Sequence, residues 1–188
     1  MGRFKKLIIP VVVILLLIIG GVFYWQNQKD VKDLNKNLPE GIKVIKTLTG
    51  NYKLVNKIDG YEFEVPKEWE GIEEIKYVPE ATEKGYTSSS ICFEGKKGES
   101  RIMAIDRFKT ENLKNLDLEI WTKNNFETFG LIGDFRKDKV GKLDVIKSYE
   151  NVPLLGMSAY FFKKDSVIYA IAGGSEEFIE NIIDNGKW

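Results

Sequence analysis

The chain has 188 residues with 28 basic and 28 acidic side chains, one cysteine and no histidine. Without histidine, the Ser-His and Cys-His nucleophile pairs are excluded, and the commonest general base and metal ligand are missing. The single cysteine, Cys92, excludes an internal disulfide and a thiolate zinc site.

The N-terminal part is dominated by an apolar segment without a charged residue, Leu7 to Trp25. Its length matches the roughly 20 residues that a helix needs to cross a bilayer. It exceeds the core of a signal peptide, about 7–15 residues, and no A-x-A-like cleavage site follows it. We therefore expect an uncleaved anchor in the lipid bilayer, with a cleaved signal peptide as the alternative. The expected anchoring side chains are Leu7, Ile14, Leu17 and the terminal aromatic cluster Phe23, Tyr24 and Trp25.

The charges beside this segment predict its orientation. The head, residues 1–6, carries three basic residues and no acidic one. The positive-inside rule then leaves the head in the cytoplasm and places the domain outside the cell membrane. A cytosolic domain is the alternative, because Lys29, Lys32 and Lys36 weaken the bias. The part beyond Trp25 has 25 basic and 28 acidic residues, a net charge of −3, which gives no electrostatic footprint for nucleic acid.

Residues 26–40 are polar and predict a stalk, after which a domain occupies residues 41–188. Short segments with alternating apolar and polar residues predict strands at 42–48, 52–58, 61–65, 74–78, 88–94 and 101–108. Between the second and third, Asp59-Gly60 predicts a two-residue hairpin turn. A polar loop is expected at residues 79–86.

The second half predicts two helices and three more strands. Leu118, Trp121, Phe126 and Phe129 share one face of a helix at residues 116–129. Strands follow at residues 140–149, 156–163 and 167–172. Ser175 can cap a closing helix whose apolar face holds Phe178, Ile179, Ile182 and Ile183. Hairpin-linked strands with amphipathic helices predict an α+β fold, a mostly antiparallel sheet packed by helices.

The segment GYEFEVPKEW, residues 60–69, resembles the opening strand, proline and tryptophan of the PsbP-like family, known for an extrinsic photosystem subunit. The later order of elements, with SVIYAI at residues 166–171 before a closing helix, is also similar. The fold resembles that of a small nuclear-import factor that binds the GTPase Ran. Over about residues 41–188, the resemblance implies an α-β-α sandwich that binds proteins and is not an enzyme. No histidine-based site of the photosynthetic members can be transferred.

Two groups of charged side chains are candidates for chemistry. Asp106 and Arg107 end a predicted strand and could form a polar pair at the mouth of a site, although an exposed ion pair is the favoured interpretation. Six glutamates between residues 62 and 74 could hold a hard cation through their oxygens, and Glu62 and Glu64 share one strand face. No calcium-loop spacing occurs, which favours a solvated surface.

Three other features have structural interpretations beside functional ones. Cys92 lies in a predicted strand and, without a histidine to activate it, is expected to be a structural thiol. Gly173-Gly174-Ser175 precedes a helix and could bind an anion, but helix capping explains it and the spacing of a phosphate loop is missing. Trp188 either docks on the domain or exposes its ring as a partner surface.

The expected function is therefore a single-pass membrane protein whose extracytoplasmic domain is a binding or assembly module. We expect a protein partner at the membrane, no cofactor and no catalysis. One alternative is an envelope-attached enzyme that uses carboxylates and lysine, which a cleft of carboxylates with shifted pKa values would favour. The other is capture of a small ligand between sheet and helix, which a large apolar pocket would favour.

Overall fold

A computed structural model of the chain describes residues 12, 14–15, 18, 21–22, 31–47, 49–65, 72–83, 86–95, 101–110, 116–125, 135–148, 159–165 and 167–188. Of the predicted anchor, Leu7, Leu17, Phe23, Tyr24 and Trp25 lie outside the described residues, whereas Ile14 is helical and 55% exposed. No helix within the described part of the chain is both long and apolar enough to cross a membrane.

The described strands form two sheets in which every pair of neighbours is antiparallel. The three-stranded sheet contains β1 (Ile42–Lys46), β2 (Tyr52–Asn56) and β3 (Tyr61–Val65). The seven-stranded sheet has the order β4-β5-β6-β10-β9-β8-β7. Its strands are β4 (Glu74–Glu83), β5 (Tyr86–Glu94), β6 (Arg101–Thr110), β7 (Phe135–Val140), β8 (Leu143–Ser148), β9 (Ala159–Lys164) and β10 (Val167–Gly173). The helices are α1 (residues 31–35), α2 (Leu118–Asn125) and α3 (Glu176–Asn185). The predicted α+β class is confirmed.

Both faces of the seven-stranded sheet are covered, because successive side chains of a strand point to opposite faces. On one face, Phe162 of β9 packs in a core with Phe63 of the small sheet and Ile179 of α3. On the other face, Phe161 packs in a second core with Trp121 of α2. The large sheet is therefore the central layer, with the small sheet and α3 on one side and α2 on the other.

Several predicted boundaries were wrong. The strand predicted at residues 140–149 is a hairpin of β7 and β8. The sequence of β7, FRKDKV, has exposed charged residues along most of its length and therefore no period-two apolar pattern. The loop predicted at residues 79–86 largely continues β4, whose pairing with β5 shifts register between Val78 and Ala81. Such an irregularity interrupts the alternation on which the prediction depended.

Residues 31–38, assigned to the stalk by the sequence, contact the domain. Leu34 and Leu38 pack against the core between the two sheets. The amide of Asn35 pairs with the backbone of edge strand β1: its Oδ1 accepts from Val44 N at 2.7 Å, and its Nδ2 donates to Val44 O at 2.9 Å. These two bonds imitate a further strand and satisfy part of an edge that would otherwise be open to pairing.

Candidate functional site

A buried carboxylate joins the two sheets. Asp59, in the loop between β2 and β3, has a side chain that is only 4% exposed. Its Oδ2 accepts from Asn56 Nδ2 at 2.8 Å, and its Oδ1 accepts from Ser89 Oγ of β5 at 2.8 Å. Arg107 Nη1 of β6 lies 3.6 Å from the same Oδ1. We call Asn56, Asp59, Ser89 and Arg107 the Asp59 cluster.

Local turn geometry produces this placement. The sequence predicts a two-residue Asp59-Gly60 turn, but Asn56 pairs directly with Tyr61, so the loop contains residues 57–60. Asn56 Oδ1 accepts from Asp59 N at 2.9 Å, and Gly60 N donates to Asn56 O at 2.9 Å. The asparagine side chain therefore folds the loop inward, as Asx turns do, and directs Asp59 towards the large sheet.

Three tyrosines lie around the Asp59 cluster: Tyr61, Tyr77 and Tyr169. Burial raises the pKa of each phenol, and the negative charge of Asp59 raises each pKa further. These hydroxyls therefore stay protonated at neutral pH. Arg107 Nε is buried without a hydrogen-bond partner in the described part of the chain. The cluster is consequently a charged contact between sheets, with one of its donors unsatisfied.

The predicted pairing of Asp106 with Arg107 is not what the structure brings together. The two residues are neighbours on β6, so their side chains point to opposite faces of the sheet. Asp106 accepts a hydrogen bond from Ser90 Oγ. Arg107 instead approaches Asp59 and, at 3.8 Å, Glu80.

A second polar cluster lies at the other end of the same sheet face and contains a buried lysine. Lys147 Nζ of β8 is 2.8 Å from Asp138 Oδ2 of β7 and 2.7 Å from Glu180 Oε1 of α3. It also lies 5.0 Å from the ring centroid of Tyr160. Burial lowers the pKa of Lys147, but the hydrogen bonds from the two carboxylates outweigh this and raise it overall. We call these residues the Lys147 cluster; its lysine stays charged and cannot act as a base at neutral pH.

The predicted acidic neighbourhood is partly described. Glu62 forms ion pairs with Lys187 at 2.6 Å and with Lys53 at 2.8 Å, and hydrogen bonds from these lysines lower the pKa of Glu62 to about 2. Glu68 and Glu70 lie outside the described residues. Among the residues that are described, no three His, Cys, Asp or Glu side chains come together in a way that could hold a metal ion.

Cys92 and the Gly173-Gly174-Ser175 segment have structural surroundings. Cys92 is 2% exposed, and its Sγ lies 3.7 Å from Ser90 Oγ. Ser175 Oγ accepts from Phe178 N at 3.2 Å, which is the predicted N-cap of α3. The first feature agrees with a buried structural thiol, and the second with helix capping.

Trp188 docks on the domain, as one of the two alternatives predicted. Its ring centroid lies 4.9 Å from that of Phe162, 5.0 Å from Tyr169, and 5.4 Å from Tyr61. The indole Nε1 donates to Ile183 O at 3.2 Å. Next to it, Lys187 forms a two-way backbone bridge with Glu62 of β3. The tail thereby extends the small sheet; use of Trp188 as a partner surface stays a prediction.

A cleft of about 370 Å³ opens beside this tail, and we call it the C-terminal cleft. One wall is the β7–β8 turn with Lys142 and Leu143, and another is the end of α3 with the C-terminal tail. Lys164, at the end of β9, lines the cleft between them. Its charged lining comprises Lys142, Lys164, Lys187 and Asp184, so positive charge predominates.

The sequence analysis missed both polar clusters and the C-terminal cleft, since each combines residues that are distant along the chain. Comparison of the chain with protein-family models, with curated proteins and with solved structures finds no match.

Proposed function

We propose that this protein is a single-pass membrane protein whose domain is an extracytoplasmic binding or assembly module. The observation that carries the proposal is the charge-free segment 7–25, followed after only residues 26–30 by a helical segment that packs on the domain. A partner protein at the membrane is the expected target.

The short connection limits where the domain can go. Leu34, Asn35 and Leu38 attach the chain to the core and to β1. Between Trp25 and Val31 the chain can span at most about 20 Å, even when fully extended. A domain held this close to the bilayer meets partners that are themselves in or on the membrane, and its effective concentration towards them is high.

For the finer fold, we propose the α-β-α sandwich of the PsbP-like family. Support comes from the central antiparallel sheet, with α2 against one face and α3 against the other. The additional three-stranded sheet beside α3 is the part that the resemblance does not account for.

Binding rather than catalysis is the favoured role, because the shifted carboxyl groups have the wrong properties for a general acid. Lysine partners lower the pKa of Glu62 and Glu119 to about 2 and lower that of Asp138 as well. A carboxylic acid that donates a proton near neutral pH needs a raised pKa. These groups instead remain ionised in pairs with lysine.

Fractionation of cells that express the full chain tests the anchor. We expect the protein to stay in the membrane pellet after a sodium carbonate wash, whereas the Ile14→Lys/Leu17→Lys variant enters the supernatant because two charges in the apolar segment oppose insertion. The Ile14→Leu/Leu17→Ile variant is the matched control and should stay in the pellet. Release of the unaltered protein by carbonate would refute the anchor.

Orientation needs a separate measurement. An epitope placed after Trp188 of the full chain should bind antibody on intact cells, because the positive-inside rule places the domain outside. Binding only after permeabilisation would show the domain to be cytosolic and would overturn the extracytoplasmic part of the proposal. An epitope placed before Arg3 is the control and should show the opposite pattern.

A further inference from the structure

We infer that the C-terminal cleft binds a small organic anion, with one phosphate or carboxylate group attached to an apolar body. This inference deepens the proposed binding function and rests on it, but it does not depend on the membrane anchor. The carrying observation is a cationic, aromatic-floored cleft on a domain whose overall charge is negative.

Two glycines allow the walls of the cleft to come together. A Cβ added at Gly141, in the β7–β8 turn, would lie 1.9 Å from Asp184 Oδ1 of α3. A Cβ added at Gly186 would lie 2.5 Å from Trp188 Nε1 and 2.6 Å from Ile182 O. Both distances are far shorter than a van der Waals contact, so neither wall could be built at this spacing with a larger residue.

The charges that line the cleft leave two cations available. Lys187 is paired with Glu62, and the carboxylate of Asp184 packs against the β7–β8 turn. Lys142 and Lys164 are exposed and form no ion pair with any residue in the described part of the chain. Two unpaired ammonium groups around one concave space attract an anionic group, and both can donate hydrogen bonds to its oxygens.

The remaining lining is apolar and accounts for the second part of the ligand. Leu143, Ile183 and Trp188 contribute to the cleft beside the lysines. The volume of about 370 Å³ lies in the range of small-molecule sites, about 300–1,000 Å³. A flat apolar group could therefore contact the indole while its charged end meets the two lysines.

Titration calorimetry on the full chain in detergent tests this inference, with phenyl phosphate and phenylacetate as probes. We expect saturable binding of at least one probe, weakened by added salt. The Lys142→Gln/Lys164→Gln variant should bind at least about tenfold more weakly, because it loses charge-assisted hydrogen bonds. The Lys43→Gln/Lys57→Gln variant removes the same charge from exposed lysines outside the cleft and should bind like the unaltered protein. The tighter probe identifies the anionic group.

A second readout locates the ligand. Probe binding should change the tryptophan fluorescence of the full chain, and Trp188→Phe should abolish that change while calorimetric binding persists. Absence of saturable binding by both probes would overturn the inference, as would binding that is equal in the two lysine variants. Carbonate fractionation of the Lys142→Gln/Lys164→Gln variant keeps the two proposals apart, because its membrane retention should be normal whether or not the cleft binds.

Discussion

The Asp59 cluster and the Lys147 cluster lie on the same face of the seven-stranded sheet, yet they bury charge in different ways. Both central side chains are almost inaccessible, at 4% exposure for Asp59 and 8% for Lys147. The hydrogen-bond donors to Asp59 are also buried, with Asn56 at 1% and Ser89 at 2% exposure. The carboxylates around Lys147 are 44% and 40% exposed and therefore retain contact with water.

This difference determines what is lost when the central group is removed. Without Asp59, buried donors and the arginine have no replacement partner, since water cannot reach them. Without Lys147, its two carboxylates can turn to solvent. Of two equally buried charges, the one with buried partners should therefore matter more for stability.

The largest effect is expected for Asp59→Ala. It should lower the free energy of unfolding by about 3–5 kcal/mol, because it leaves Asn56, Ser89 and Arg107 without their common partner. Urea unfolding monitored by circular dichroism measures the change. Asp144→Ala is the matched control; its side chain is 85% exposed, and its loss should cost less than about 0.5 kcal/mol. Equal destabilisation by the two variants would contradict the assigned role of Asp59.

Lys147→Met should have a smaller effect, about 1–2 kcal/mol by the same unfolding measurement. Methionine keeps most of the buried aliphatic volume, and the released carboxylates are solvated. The same change at Lys142, an exposed lysine without an ion-pair partner among the described residues, should be close to neutral. If Lys147→Met proved as costly as Asp59→Ala, the exposure of the partners would not explain the difference between the clusters.

Local features of the fold were predictable from the sequence, whereas both clusters were not. The cap of α3 was recognisable because Ser175 acts three residues away, on Phe178. Ser89, in contrast, is 30 positions from Asp59, and Glu180 is 33 from Lys147. No spacing rule connects such residues, since the pairing of strands brings them together.

Asp59 was also concealed by its own local pattern. Asp-Gly is a strong turn signal and normally predicts an exposed position. Here Asn56 lengthens the turn to four residues, and Asp59 is directed into the protein. The edge strand β7 escaped prediction for the opposite reason, because its charged residues protect an open edge and remove the apolar alternation.

The pH dependence of stability should distinguish the Lys147 cluster further, with the smallest effect of the three. Hydrogen bonding to Lys147 lowers the pKa of Asp138 below its usual 3.8. A carboxyl group whose pKa is depressed by folding stabilises the protein above its unfolded pKa, and this contribution is lost as the pH falls through the folded pKa. The difference in unfolding free energy between the unaltered protein and Lys147→Met should therefore shrink between pH 5 and about pH 2, as Asp138 becomes protonated.

Urea unfolding at pH 7, 5 and 3 measures this convergence. Lys142→Met supplies the baseline, because the loss of an unpaired lysine should shift stability equally at all three values. A gap for Lys147→Met that stays constant down to pH 3 would mean that its cost arises from packing of the aliphatic chain and not from the ion pair with Asp138. Convergence would instead show that partly exposed partners make the Lys147 cluster responsive to acid, because protons can replace the lysine there.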